Sequence, residues 1–266
     1  MFTNFYTYIF FYLLIISSSM GYGLAINSIS KKFKITNNLG YIGLIGVLFL
    51  IIYAYVSSLF ISHGQAHNSI ILAIGIIFFI KFYFNNLMKV GWGYFFLIFF
   101  ILLIAAFIFK AHDDFLYYHF PYSYYLTENS LIFGMGNFDL GYRTPSSIFY
   151  LNSLFYLPFV KYYMFHMPAI LIMGFSNLTL LIKLKKNIDN NQINFISYFT
   201  LLALIFINIF FYRIAEHGTD RSAQILIFLL FIEILLLSNS KVNISNQTSK
   251  IYILIGLIIS FKAFYI

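Results

Sequence analysis

Three stretches of the chain carry residues whose types and spacing could do chemistry. The first is AHDDFLYYHFP at 111–121, where Asp113 and Asp114 stand side by side with His112, Tyr118 and His119 close by. Adjacent carboxylates at the mouth of an apolar segment are costly unless they are solvated, paired or metal-bound. Two like charges side by side also suit one of them to take up a proton near neutral pH. The plainer alternative is that the pair simply ends an apolar segment in water. The second stretch is GMGNFDLGYRTPSS at 134–147. Its glycines permit tight backbone, Asn137 and Asp139 supply polar contacts, and the planar fork of Arg143 suits a bidentate phosphate contact. Ser146 and Ser147 could cap a following helix. The third is FYRIAEHGTDRSAQIL at 211–226, which sets Arg213, Glu216, His217, Asp220 and Arg221 within nine residues. Local pairs, Arg213 with Glu216 and Asp220 with Arg221, would account for that cluster without any chemistry. His63 and His67, four apart, could ligate a metal, but with no carboxylate or cysteine nearby they read as a polar loop.

The elements that must position these residues follow from composition. Of 266 residues, 61% are apolar and 9% charged, against roughly 45–50% and about 25% in soluble domains. The mean hydropathy is +0.86. This excludes a soluble enzyme, a nucleic-acid binder and a disulfide scaffold, and cysteine is absent altogether. The expected fold is all-α, a polytopic transmembrane bundle of about eight spans, at roughly 5–27, 39–61, 68–88, 92–110, 163–182, 193–212, 221–238 and 250–266. Ser146 to Phe159 is apolar but short and broken by Asn152, Ser153 and Pro158. If it does not cross, Lys31, Lys32, Lys34, Lys81, Lys89, Lys183, Lys185, Lys186, Lys241 and Lys250 all fall on one face, the cytoplasmic one. It is therefore expected as a partly embedded helix of the outer interface, within a long outer loop over 111–162 that also holds a surface-lying helix after Pro121. The same alternation puts the N-terminus outside. It gathers Asp113, Asp114, Glu128, Asp139, Glu216 and Asp220 on the outer face, together with His63, His67, His112, His119, His166 and His217. Glu233 lies one turn inside the last cytoplasmic boundary, where it could reach water, and the more buried Asn208 could join two helices. The chain stops inside an apolar segment, as an incomplete C-terminus would.

An apolar helix that delivers Asp-Asp to the outer surface and is followed by a long loop of surface helices resembles the GT-C superfamily of polytopic glycosyltransferases. The D-x3-YH of Asp114, Tyr118 and His119 and the GxGN…R…SS of Gly134, Gly136, Asn137, Arg143, Ser146 and Ser147 are similar to uncharacterised bacterial GT-C-like membrane proteins. The resemblance covers roughly residues 92–230 as a core, preceded by three spans over 1–91 and followed by 231–266, all within one membrane domain. The chain is about half the usual length of that superfamily. What the resemblance implies is transfer of a sugar from a polyprenyl-phosphate donor to an acceptor hydroxyl, on the periplasmic face of a bacterial inner membrane. Asp113 or Asp114 would be the general base. His112, Tyr118, His119, Asn137, Arg143, Arg213, Glu216, His217, Asp220 and Arg221 would bind substrate or phosphate. The partners implied are the lipid-linked donor and membrane lipid, with no nucleic acid. No particular cofactor is implied, although the carboxylates could hold a divalent metal. The alternatives are a transporter or flippase, a subunit of a surface-polysaccharide polymerase, or a non-catalytic assembly protein.

Overall fold

The computed structural model describes residues 5–29, 36–84, 91–108, 112–238 and 244–262. Among these residues the regular structure is helical: α1 (Phe5–Ile29), α2 (Leu39–Ser58), α3 (Gln65–Phe84), α4 (Trp92–Ala106), α5 (His119–Glu128), α6 (Ser147–Leu154), α7 (Met167–Asp189), α8 (Phe195–Phe210), α9 (Asp220–Ser238) and α10 (Ile244–Phe261). A helix satisfies its own backbone, which is what an apolar surround demands. The sequence also sets several of the boundaries. Asn38 caps α2 by accepting the Gly40 N–H, Asn194 and Ser197 form a reciprocal box at the start of α8, and Pro168 sits in the first turn of α7.

Five helical segments are long and apolar enough to cross a membrane: Phe5–Ile29, Leu39–Ser58, Gln65–Tyr83, Tyr162–Asp189 and Asp220–Ser238. Trp92–Ala106, Phe195–Phe210 and Gln247–Phe261 are apolar but shorter. These eight helices fall on the eight expected stretches. The central post is α7, buried at every residue from Met167 to Leu180. Around α1, side chains are dispensed with. A Cβ at Gly23 would run into the Ile42 carbonyl of α2, one at Gly46 into the Ser19 carbonyl, and one at Gly75 of α3 into Ser18 Oγ. Small residues let apolar helices approach to backbone contact, where packing supplies what a hydrophobic drive cannot.

Chain direction alternates, so the bundle has two chemically distinct ends. At one, His63 N–H donates to Leu126 C=O (2.8 Å), His112 N–H to Ala215 C=O (3.2 Å), and Ser146 Oγ to Phe261 C=O (2.7 Å). That end holds all six histidines. At the other lie Lys81, Lys183, Lys185, Lys186 and Lys250, while Lys31, Lys32, Lys34, Lys89, Lys110 and Lys241 fall outside the described residues.

Three expectations need correction. Every residue of α6 is buried, so this short helix, expected to be only partly embedded at the outer interface, is enclosed by α2, α5 and α7. Helix α5 begins at His119, two residues before Pro121, which takes a later place in the first turn. Glu233 does not reach water. It is 1% exposed, with Oε1 at 2.7 Å from Lys183 Nζ, and Oε2 bonded to Gln247 and 4.0 Å from Lys250 Nζ. Asn208 does join two helices, through a reciprocal amide pair with Asn177 at 3.0 Å, but it does so from an exposed position.

Candidate functional site

At the histidine end the first stretch folds on itself. His112 precedes the 3-10 turn Asp113–Phe115, and its Nδ1 accepts the Asp114 N–H at 3.1 Å. The turn separates the two carboxylates. Asp113 is exposed, whereas Asp114 faces inward, with Oδ2 accepting the Tyr118 hydroxyl at 3.1 Å and lying 3.8 Å from His112 Nδ1. His119, the first residue of α5, completes the group. It is 4% exposed, stacked 5.4 Å from His112 and packed 4.9 Å from the Phe149 ring. One ligand atom from each of His112, Asp114 and His119 lies within 4.8 Å of the others. Burial first, and the neighbouring His112 second, bring His119 down to about 4, so its ring is neutral at physiological pH. Burial and then the Asp114 charge push the Tyr118 phenol up to about 12, so it remains a hydrogen-bond donor.

The third stretch docks against the first. The His112 N–H reaches Ala215 C=O, and Gly218, at φ +50°, lies under the imidazole so closely that a Cβ there would come within 3.0 Å of the ring. Asp220 opens α9 and meets Lys262 Nζ at 2.7 Å, and both charges act on His119. Two regions some hundred residues apart in the chain thus share one rim. Glu216 is buried between Arg213 (3.3 Å) and Arg221 (2.9 Å). The expected Arg213–Glu216 pair is present. Asp220 and Arg221 do not pair with each other, because consecutive helical residues point about 100° apart and each finds a different partner. His217 is also buried, its Nε2 bonded to Phe211 C=O at 2.7 Å, and desolvation brings it down to about 4.

Between these segments is a cavity of about 20 Å³, lined among others by His112, His119, Asn152, His166 and Ala215. That is room for one water or one ion, since a water needs about 10–15 Å³ on this measure. Two of its lining residues carry a buried atom without a hydrogen-bond partner, His119 at Nε2 and Asn152 at Oδ1. Buried polar atoms are nearly always satisfied, so such exceptions call for a reason.

The second stretch contributes a cover but not its cation. Asp139 caps the 3-10 turn Leu140–Tyr142 by accepting the Gly141 N–H at 2.6 Å, and Gly141 lies against the Tyr118 ring where no Cβ would fit. Ser146 caps α6 as expected. Asn137 and Arg143 are exposed, and the guanidinium Nε is bonded back to Gly136 C=O at 3.3 Å within its own loop. His63 and His67 hold structure. His63 is fully buried between Ser57 Oγ (2.8 Å) and Ser153 Oγ (2.6 Å), and His67 takes the Tyr53 hydroxyl (2.7 Å). Sequence reasoning missed Lys262 and Asn152 as members of the rim, and it placed His166 on the outer face without giving it a role. The first was legible, as a lone cation at the end of a span whose direction alternation fixes. The cavity-facing role of Asn152 depends on tertiary packing.

The chain belongs to the family described as a domain of unknown function, DUF8201, which matches residues 6–266. No curated protein and no solved structure matches it.

Proposed function

We propose that this is a membrane glycosyltransferase, with eight crossings, that moves a sugar from a polyprenyl-phosphate donor to an acceptor hydroxyl at the periplasmic face of a bacterial inner membrane. The observation that carries the reading is the meeting of the Asp114, Tyr118 and His119 group with the 215–220 turn and Lys262 on one rim. Asp114 is the general base. It takes the acceptor proton as that oxygen attacks the anomeric carbon, the bond from that carbon to the phosphate oxygen breaks, and the phosphate leaves with its electron pair. Tyr118, donating to Asp114 Oδ2, holds the carboxylate in place. The departing phosphate needs cations. His119 and His217 cannot serve, because burial keeps them neutral, so the charge falls to Lys262 and to the partly exposed Arg213 and Arg221. Leu116, Tyr117, Phe133, Phe138 and Leu140 stand exposed along the 112–146 loop, as a segment at the lipid surface would.

Asp114→Asn is expected to abolish transfer from a polyprenyl-phosphate sugar in isolated membranes at unchanged expression, while Asp113→Asn retains it. Equal activity in the two variants removes the assignment. The orientation is checked by cysteine labelling of intact cells: Tyr117→Cys is expected to react with an impermeant maleimide and Lys185→Cys is not. Labelling of position 185 alone inverts the topology and ends the periplasmic reading.

A further inference from the structure

We propose that His112, Asp114 and His119 bind one divalent cation of the zinc class at the mouth of the histidine-lined cavity. Two imidazoles and one carboxylate are a donor set that zinc takes up readily, with a remaining position left open. The three ligand atoms already lie within 4.8 Å of one another, and His112 Nδ1 is 3.8 Å from Asp114 Oδ2. In a tetrahedron with bonds of about 2.1 Å the donors stand about 3.4 Å apart. The donors therefore have to close by up to about 1.4 Å. His112 and Asp114, at 33% and 46% side-chain exposure, have the freedom to do so.

The second and independent observation is the orphaned His119 Nε2. This residue is 4% exposed, and its free nitrogen belongs to a ring lining a cavity the size of one ion or water. A neutral imidazole with an unpaired nitrogen is the form that ligates metal. At His112 the lone pair on Nδ1 is occupied by the Asp114 N–H, so the cation would displace one backbone hydrogen bond. The Tyr118 hydroxyl on Asp114 Oδ2 supplies the outer hydrogen bond that orients a ligating carboxylate. Asn152, another residue lining the cavity, also carries an unpartnered acceptor, its Oδ1. The inference does not depend on sugar transfer, since it rests on the donor set and the cavity alone.

The test uses the full chain in detergent, stripped with a chelator and titrated with Zn²⁺ by calorimetry, with Co²⁺ as a visible-absorption probe. One saturable site per chain is expected, with tetrahedral Co²⁺ bands. His112→Ala and His119→Asn should each weaken binding by more than about 100-fold, because outer-shell partners alone are worth 10–100-fold. Asp113→Asn should leave binding unchanged. Zinc should also raise the unfolding temperature of the unaltered chain and not that of His112→Ala. His112 is partly exposed, so its variant decides the matter if His119→Asn misfolds. No saturable site in the unaltered chain, or binding indifferent to His112→Ala, overturns the proposal. Absent zinc binding together with loss of transfer in Asp114→Asn sinks the cation site alone. Stoichiometric zinc with undiminished transfer in that variant sinks the glycosyltransferase reading alone.

Discussion

Glu233→Gln should be the most damaging single polar change at the lysine end. The carboxylate is 2% exposed and accepts from Lys183 Nζ at 2.7 Å, with Lys250 Nζ at 4.0 Å, so it ties α9 to α7 and α10. Glutamine keeps the shape and a carbonyl oxygen but removes the charge. Lys183, at 14% exposure, is then left as an ammonium with no carboxylate beside it. Removing one partner of a buried pair costs about 3–5 kcal/mol. The lysine could instead shed its proton, which at pH 7 costs about 5 kcal/mol from an ordinary value near 10.4. The expected loss is therefore about 3–5 kcal/mol, with the proton escape as its ceiling. Replacing both partners, Lys183→Met with Glu233→Leu, takes both charges out together and should recover most of that stability. The measurement is denaturant unfolding in detergent, followed by the fluorescence of Trp92, the sole tryptophan. Loss below about 1 kcal/mol, as for an exposed pair, or a double variant no better than Glu233→Gln, would refute the reasoning.

The glycine contacts make a paired prediction. Gly46→Ala forces a Cβ into the Ser19 carbonyl of α1 and should cost about 1–3 kcal/mol, whereas Gly256→Ala in α10 meets open space and should gain up to about 1 kcal/mol from helix propensity. Similar unfolding midpoints for the two would show that α1 and α2 are not in backbone contact. Acid should loosen the histidine end. His63 is held at about 3 and His119 and His217 at about 4, in each case chiefly by burial. Below about pH 6.5 the unfolded chain binds protons that the folded chain refuses, so stability falls with falling pH until the folded values are reached. A drop from 6.5 to about 4 is worth on the order of 3 kcal/mol per histidine. An unfolding temperature that stays flat between about pH 7 and about pH 4 contradicts this.

The eight apolar stretches were legible because a run of some twenty apolar residues has few other uses. Their ends were less so. The expected 92–110 and 193–212 shorten to Trp92–Ala106 and Phe195–Phe210, since apolarity continues past the point where the backbone stops being helical. The clustering of histidines and acids at one end followed from where the lysines fall, and the hydrogen bond from His112 to Ala215 agrees with it. What could not be read was which of two adjacent aspartates turns inward. That depends on the 3-10 turn after His112 and on Tyr118 one turn later. Nor could the partner of Asp220 be read, because the alternation that puts Lys262 at this end does not say that α10 packs against α9. The planar fork of Arg143 suggested a phosphate contact, but the loop that carries it bonds the guanidinium to its own Gly136.

The two ends of the bundle show why chemistry belongs to one of them. Both contain a buried or half-buried carboxylate with charged neighbours. At the lysine end each oxygen of Glu233 is taken, Oε1 by Lys183 and Oε2 by Gln247, and the surrounding helices are closed upon it. With both oxygens paired, the Glu233 carboxylate ties helices together and has nothing left to offer a ligand. At the histidine end Asp114 remains partly open, and two residues lining the ion-sized space nearby, His119 and Asn152, each carry a buried polar atom without a partner. Leaving such atoms unpaired costs about 1–3 kcal/mol each, which a species seated against them would recover. The unsatisfied rim, and not the paired carboxylate at the opposite end, is therefore where a bound species has something to gain.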